Sequence, residues 1–214
     1  MTRLVLFLFT GLLGAASSRA GWLEFQPAYY TDYKIGTARA EGGAQLAPPL
    51  SLYGFVDFYG QTKAKFDLNT YYGEVRLMHS LGWVDERWKA WNLTVEANGG
   101  TNYDGILRLG VVWNTSLGQG NTFALKLYPA ASRDRDAHAS VYCAQTLTPE
   151  LSVYAIFDYG FGTWIFGREQ IYVELEARYR LNPRVSLFVQ GRQFAAAAGF
   201  KLDPSPVVGV KISF

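Results

Sequence analysis

An alternation of apolar and polar residues with a period of two runs along most of this 214-residue chain. In one clear example, Val173 and Leu175 alternate with Glu174, Glu176 and Arg178. Residues two positions apart share one face of a β-strand, whereas residues on one helix face recur every three or four positions. The pattern therefore predicts β-strands that have one apolar face and one polar face.

The alternation predicts an all-β chain of about twelve strands. Ten clear segments cover residues 50–59, 71–80, 91–98, 107–113, 123–127, 138–143, 151–158, 170–180, 185–192 and 208–214. Two weaker segments precede them, at 23–29 and 37–46, and without these two the prediction falls to ten strands. Pro27 cannot donate a ladder hydrogen bond, so we expect a bulge or a sheet edge there.

The carboxyl terminus closes the last of these segments on an aromatic residue. Val208, Val210, Ile212 and Phe214 fall on one strand face, and Lys211 falls on the other. This ending resembles the assembly signal of Gram-negative outer-membrane β-barrels. It implies a transmembrane antiparallel up-and-down barrel in the cell outer membrane, in contact with lipid, and inserted by the barrel assembly machinery through the strand that ends at Phe214.

The amino terminus has the order of regions found in a secretory signal peptide. Arg3 precedes an apolar run at 4–13, and small residues follow at 15–20. The apolar run is too short to span a bilayer, which takes about 20 apolar residues. We place cleavage after Ala20, so residues 1–20 are predicted to be the signal peptide and residues 21–214 the barrel.

Charge and cysteine content exclude several classes of partner. The chain has 20 Lys and Arg against 18 Asp and Glu, and Arg3 and Arg19 of the signal account for the difference. A mature chain of zero net charge predicts no nucleic-acid partner. Cys143 is the single cysteine, so no intramolecular disulfide forms, and with two histidines it provides no metal-ligand spacing. We expect no cofactor and no metal.

Connections and aromatic residues predict how the barrel sits in a membrane. Short turns at 48–49, 148–150 and 182–183 would lie on the periplasmic side, and longer connections at 60–70, 129–136, 160–168 and 194–205 on the outer side. The tryptophans near the first set of strand ends are Trp22, Trp83, Trp88, Trp91 and Trp113. The tyrosines near the opposite ends are Tyr29, Tyr30, Tyr59, Tyr71, Tyr128 and Tyr159. Such sorting predicts two interfacial belts.

The polar face of the strands carries most of the charge. Its channel-lining candidates include Glu96, Arg108, Lys126, Asp158, Glu174, Glu176, Arg178 and Arg192. So many charges inside a barrel require either water or mutual pairing. Two interpretations stay open: a narrow water-filled channel that sorts small solutes, and a structural or adhesive barrel whose interior is closed by salt bridges.

A catalytic barrel is a third interpretation. His138 and Ser140 share the polar face, and Asp134 and Asp136 lie close by in sequence. No acid is specifically tied to the pair, however, and interleaved Arg133 makes this segment a charged, solvated loop. We therefore expect a protein that is not an enzyme.

Two segments resemble the early strands of the nucleoside-specific channel-forming (Tsx-like) porins. They are Leu-Tyr-Gly-Phe-Val-Asp-Phe-Tyr-Gly at 52–60 and Tyr-Gly-Glu-Val-Arg-Leu at 72–77. The resemblance implies a monomeric twelve-stranded barrel with a narrow channel for the uptake of nucleosides or related small solutes. It also implies solute contacts at Tyr53, Phe55, Asp57, Glu74 and Arg76.

Overall fold

Twelve β-strands form one closed barrel, in which each strand is antiparallel to its neighbours and the first strand pairs with the last. The computed structural model describes residues 21–31, 35–60, 68, 70–101, 103–118, 120–132, 137–161, 170–196 and 205–214. The strands are β1 (Gly21–Tyr30), β2 (Ile35–Ala47), β3 (Leu50–Tyr59), β4 (Thr70–Ser80), β5 (Trp91–Gly100), β6 (Tyr103–Gly118), β7 (Asn121–Ala131), β8 (Ala137–Thr146), β9 (Leu151–Phe161), β10 (Gln170–Asn182), β11 (Val185–Ala196) and β12 (Ser205–Ser213). The prediction of a twelve-stranded antiparallel barrel is confirmed, and the count of ten is wrong.

Both weak segments near the amino terminus are full strands. The bulge or sheet edge that was expected at Pro27 is absent from β1. Phe25 pairs with Ile212 of β12 and Ala28 pairs with Gly209, so the register keeps one offset on both sides of the proline. Closure of the barrel removes the sheet edge, and the ladder continues past the residue that cannot donate a hydrogen bond.

The two ends of the barrel differ in their connections. We call the end that carries Gly21 and Phe214 the terminal end, and the opposite end the loop end. At the terminal end, residues 48–49, 147–150 and 183–184 form short turns, and two 3₁₀-helices, Leu81–Trp83 and Glu86–Trp88, join β4 to β5. Much of the loop end, including Asp134 and Asp136, lies outside the described residues, as does the predicted signal peptide at 1–20.

The alternation separates the two faces as the sequence predicts. Outward-facing Leu93, Leu109 and Leu175 keep 52%, 54% and 60% of their surface exposed, as lipid contact requires. Inward-facing Glu96 and Gln190 keep 1% and 2%. No helix within the described residues is long and apolar enough to cross a bilayer.

A cluster of buried apolar side chains lies at the seam where the barrel closes. Ala28 of β1, Phe188 of β11 and Val207 of β12 are buried against one another, and Tyr30 packs beside them. These side chains occupy the inner face of three adjacent strands. Polar and aromatic residues that face the central space lie around the barrel, including Glu24 of β1, Arg192 of β11 and Lys211 of β12.

The predicted aromatic belts are only partly present. Trp91, Trp113 and Phe123 form a row of ring contacts at 6.4 and 5.8 Å on the outer face near the terminal end, as a belt requires. Trp22, however, faces the lumen, where its ring lies 6.2 Å from that of Tyr53. Trp22 and Glu24 are two positions apart in β1 and therefore share the face that points into the lumen. The belt prediction is wrong for Trp22.

The predicted tyrosine belt at the loop end is also only partly present, because several of its tyrosines face the lumen. Tyr30 and Tyr59 line the interior, and Tyr128 is only 1% exposed beside lumen-facing His138. Each of these tyrosines shares its face with an inward-facing charged residue of its own strand. Proximity to a strand end therefore does not by itself place an aromatic ring at the lipid interface.

Candidate solute-binding lumen

A cavity of about 1180 Å³ occupies the barrel interior. Its wall includes Trp22 and Glu24 near the terminal end, and Tyr59 and Gly160 at the loop end. Eight strands enclose an interior just wide enough for side chains to fill, so a twelve-stranded barrel of this kind has space left over. The cavity extends along the barrel axis between the two ends.

Four aromatic rings form a continuous row on one wall of the cavity. Trp22 of β1 contacts Tyr53 of β3, Tyr53 contacts Phe55 at 6.4 Å between ring centroids, and Phe55 contacts Tyr72 of β4 at 5.9 Å. We call these four residues the aromatic row. It runs from the terminal end toward the loop end along the wall of the cavity.

Two guanidinium groups cover the aromatic row. The Arg39 guanidinium carbon lies 4.6 Å from the Phe55 ring centroid, and that of Arg76 lies 5.2 Å from the Tyr53 ring centroid. Stacking of this kind holds the long side chains against the wall and favours one ring orientation. Both arginines therefore pack on the same wall as the rings.

The first ion pairs of the lumen lie beside the row. Arg39 holds Asp57 through two hydrogen bonds of 2.6 and 2.7 Å, and the Tyr59 hydroxyl donates to the same carboxylate at 2.9 Å. Arg76 contacts both Glu74 and Glu96, and its Nε donates to Glu96 at 2.8 Å. Charge-assisted bonds of this geometry are among the stronger hydrogen bonds in proteins.

A second set of ion pairs lies around the rest of the barrel interior, and most of them join neighbouring strands. Lys211 of β12 lies 3.0 Å from Glu24 of β1 and 3.1 Å from Glu41 of β2, so one ammonium group bridges the closing seam. Three further contacts complete the pattern: Arg108 with Glu96 at 2.8 Å, Arg178 with Glu176 at 2.7 Å, and Arg192 with Glu174 at 3.1 Å.

The predicted lining residues lie where the alternation places them, with one qualification. Those that line the cavity are Tyr53, Phe55, Asp57, Glu74, Arg76, Arg108, Lys126, Asp158, Glu174, Glu176, Arg178 and Arg192. Glu96 faces inward as well, but it lies behind Arg76 and Arg108 and is 1% exposed. It binds its neighbours in the wall and does not present a surface to the cavity.

Sequence reasoning missed part of the site. Trp22 and Tyr72 belong to the aromatic row, and Tyr154 lies under the Arg178 guanidinium at 4.1 Å from its ring centroid. Tyr72 and Tyr154 share their strand face with the predicted lining residues Glu74 and Asp158, and Trp22 shares its face with the charged Glu24. The alternation of faces was therefore the signal that could have identified all three.

His138 and Ser140 make no hydrogen bond to each other. Ser140 Oγ has no hydrogen-bond partner within the described part of the chain, and the residue is 1% exposed. The acid near His138 is Asp158 of the adjacent strand, whose Oδ1 lies 3.8 Å from His138 Nε2. Sequence reasoning tied no acid to this histidine because the strand pairing was unknown. Within the described ranges, no group of three His, Cys, Asp or Glu residues could hold a metal ion.

Comparison with known proteins identifies the fold. No family model matches the chain, and no curated protein matches it. It is similar to the solved structure described as "NanC porin structure in rhombohedral crystal form", with a TM-score of 0.60, 8% identity, and coverage of 90% of this chain and 98% of that one. It is also similar to "KdgM porin in complex with disordered oligogalacturonate", with a TM-score of 0.58, 12% identity, and coverage of 90% and 99%.

These similarities show that the chain has the fold of outer-membrane porin barrels. A further structure, described as "KdgM porin", has a TM-score of 0.59 at 11% identity, over 90% of this chain and 99% of that one. The similarities do not show membership of the Tsx-like family, so the residues at 52–60 and 72–77 remain a resemblance only.

Proposed function

We propose that this protein is an outer-membrane channel for the passive, selective diffusion of small solutes, with nucleosides as the leading candidates. The observation that supports it best is the cavity of about 1180 Å³ that runs past the aromatic row. Every nucleobase has a flat face, and stacking on an aromatic side chain contributes about 1–3 kcal/mol per base. A row of rings would let a base move from one stacking position to the next.

The charges of the wall favour solutes without a large net charge. Arg39 and Asp57 neutralise each other, as do Arg178 and Glu176, so these groups attract neither anions nor cations strongly. A nucleoside is neutral at physiological pH and has both a flat base and a hydroxyl-bearing sugar. It matches a lumen that combines aromatic faces with paired charges better than a strongly anionic solute does.

The chain would reach its site by export and insertion. We propose that residues 1–20 act as a signal peptide, that the barrel assembly machinery recognises the strand ending at Phe214, and that the inserted barrel is a monomer surrounded by outer-membrane lipid. The terminal end would then face the periplasm, because in outer-membrane barrels the short turns lie there and the longer loops lie outside.

A barrel closed by its ion pairs is the alternative that a specific observation favours. Arg76, Glu96 and Arg108 link three adjacent strands through contacts of 2.8 Å, and such a network could fill the cross-section. Conductance of the purified barrel in a planar bilayer separates the two cases. A channel gives stable ionic currents, and a closed structural barrel gives none.

The nucleoside proposal is tested by uptake into proteoliposomes. We expect nucleosides to enter faster than sugars of similar size, because only nucleosides stack on the aromatic row. Phe55→Ala should reduce that preference about fivefold, the loss expected for one stacking contact. Flux no greater than that of empty liposomes would reject the channel, and equal flux of both solutes would reject selectivity for nucleosides.

Phe157→Ala is the matched control for this test. Phe157 lies on the outer face of β9 and is 45% exposed, so the change removes a ring from the lipid side and leaves the lumen intact. Its uptake preference should equal that of the unmodified protein. A heat-modifiable band on gels would confirm that both variants are folded.

A further inference from the structure

The connection between β4 and β5 exposes several large apolar side chains. It contains the two 3₁₀-helices, Leu81–Trp83 and Glu86–Trp88, neither of which has a buried residue. Trp83 is 67% exposed and Val84 is 61% exposed, and Trp88 is exposed as well. A contiguous group of exposed apolar side chains marks a contact surface, because contact with water is unfavourable for all of them.

The connection is a compact unit. The Ser80 hydroxyl accepts a hydrogen bond from the backbone N–H of Gly82 at 3.2 Å and caps the first helix. The Asp85 carboxylate accepts from the backbone N–H of Arg87 at 2.8 Å and caps the second helix. Gly82 packs so closely on Lys89 that an added Cβ would lie 3.2 Å from Lys89 Cβ. The exposed side chains are therefore presented by an ordered segment, which lowers the entropy cost of binding.

Both tryptophan rings of the connection lie on the outer surface of the barrel. The Trp83 ring meets that of His79 edge-on, with centroids 6.0 Å apart. His79 pairs with outward-facing Leu93, so it belongs to the outer face of β4. The Trp88 ring lies 6.5 Å from that of Trp91, the first ring of the outer row near the terminal end. The exposed rings therefore continue the lipid-facing surface of the barrel.

The charged residues of the connection carry both signs. Arg87 contacts Asp85 at 2.6 Å, and Lys89 contacts Glu86 at 2.7 Å. Both cations are largely exposed, and ion pairs of this kind contribute little to stability, so other charged groups can replace either partner. Two acids and two bases give the segment no net charge. Such a surface suits a headgroup that has a phosphate and an amine, whereas a net basic segment would select anionic lipid.

We propose that the β4–β5 connection is an interfacial anchor that binds the headgroup layer of zwitterionic phospholipids. Trp83, Val84 and Trp88 would be immersed, because tryptophan combines an apolar ring with an N–H that finds a polar partner at this depth. Arg87 and Lys89 would reach the phosphates while their aliphatic stems lie along the apolar surface. This inference concerns the outside of the barrel. It goes beyond the channel function, and a barrel with a closed interior would have the same anchor.

The test measures the depth of a nitroxide spin label at Val84 in phosphatidylcholine vesicles. Val84→Cys is made in a Cys143→Ala background, so that the label has one site. Depth is given by the ratio of the label's accessibility to oxygen, which dissolves in lipid, to its accessibility to a nickel chelate, which stays in water. We expect the label to be buried by roughly 5–10 Å, as apolar faces of interfacial segments are. A label at Val84 that is fully accessible to the chelate would overturn the anchor.

Glu150→Cys in the same background is the matched control. Glu150 lies in an exposed turn at the same end of the barrel. Its label should be accessible to the nickel chelate, because this position has no tryptophan beside it in the turn at 147–150. Equal depth at both positions would show that the whole terminal end is immersed, and would overturn a particular role for the β4–β5 connection.

Two variants test whether the rings hold the connection at this depth. Trp83→Ser combined with Trp88→Ser should raise the chelate accessibility of the Val84 label several-fold, because most of the apolar contact area is lost. Phe157→Ala, which removes an exposed ring from the outer face of β9, should leave the accessibility unchanged. A heat-modifiable band confirms that each variant is folded. An unchanged depth in the folded double variant would overturn the role of the two rings.

Fluorescence tests the contact in a barrel without a label. The difference in emission between the unmodified protein and Trp83→Phe reports Trp83 alone. Lipids brominated near the headgroup end of the acyl chain should quench this difference, because bromine quenches only indoles that it contacts. A difference spectrum that brominated lipid leaves unchanged would show that Trp83 lies in water, against our inference.

Lipid charge decides which headgroup the connection binds. The depth of the Val84 label should be the same in phosphatidylcholine vesicles and in vesicles that also contain phosphatidylglycerol. It should also be insensitive to salt, since a segment without net charge gains little from an anionic surface. Immersion that requires phosphatidylglycerol and is lost at high salt would overturn the assignment to zwitterionic lipid.

Discussion

At the scale of single residues, the barrel interior is governed by the need to pair buried charge. Asp57 has a side chain that is 4% exposed, and Arg39 supplies both of its ion-pair hydrogen bonds. Such a pair contributes little net stability compared with apolar residues, but loss of one partner leaves an uncompensated charge. The lumen therefore depends on complete pairs more than on any single charged residue.

The Arg39–Asp57 pair makes this testable. Asp57→Asn should lower the free energy of unfolding by about 3 kcal/mol, because it leaves the Arg39 guanidinium without its counter-charge. Urea unfolding of the barrel in detergent micelles measures the change. The double variant Arg39→Gln with Asp57→Asn should recover most of the loss, since it removes both charges. A double variant less stable than Asp57→Asn alone would contradict this account.

At the scale of strands, the backbones of β1 and β12 approach so closely at one position that only glycine fits there. β12 passes β1 at Gly209, where an added Cβ would lie 2.6 Å from Pro27 O and 2.7 Å from Ala28 Cβ. Phe188 of β11 occupies the remaining space on the inner face, at 2.6 Å from the same position. The seam is thus closed by a glycine, a proline that lacks a donor and one large ring.

We predict that Gly209→Ala destabilises the barrel by about 1–3 kcal/mol, the cost of overpacking a fixed backbone contact. Gly105→Ala in β6 is the control, because among the described residues its added Cβ would meet Asn98 O alone, at an ordinary 3.6 Å. Thermal unfolding followed by gel mobility compares the two variants. An equal midpoint for both would show that the seam can relax around the extra methyl group.

At the scale of the whole molecule, the barrel is held closed by contacts between its two terminal strands. The backbone N–H of Phe214 donates to Leu23 O at 3.0 Å, and Lys211 bridges Glu24 and Glu41. The Phe214 ring continues the outward row of β12 and is 76% exposed. Under the assembly route proposed above, this ring would be recognised before the barrel closes and would contact lipid afterwards.

Deletion of Phe214 should therefore reduce insertion into the outer membrane several-fold, while Phe214→Tyr, which keeps an aromatic terminus, should insert normally. The measurement is the amount of heat-modifiable, folded barrel in outer-membrane fractions. Equal amounts of folded barrel with and without the terminal aromatic would show that the closing strand is recognised by other residues.

Much of this protein is determined by its local sequence. The alternation at 170–180 defines a strand and both of its faces, because the period of two is a property of each backbone segment by itself. Twelve of the thirteen residues predicted to line the channel lie on the cavity wall, and the same rule would have assigned Trp22 and Tyr72 to it. The assignment of Trp22 to a lipid belt was wrong because it relied on the residue's position near a strand end, whereas the alternation of faces places this side chain inside the barrel.

Only the tertiary structure decided which inward-facing groups meet. Lys211 bonds Glu24 and Glu41 because the barrel closes between β12 and β1, and Asp158 lies beside His138 because β8 and β9 pair in one register. No residue pattern within one strand specifies these partners. Closure and register bring together groups that are distant along the chain, so the pairing of most lumen charges follows from the assembled barrel.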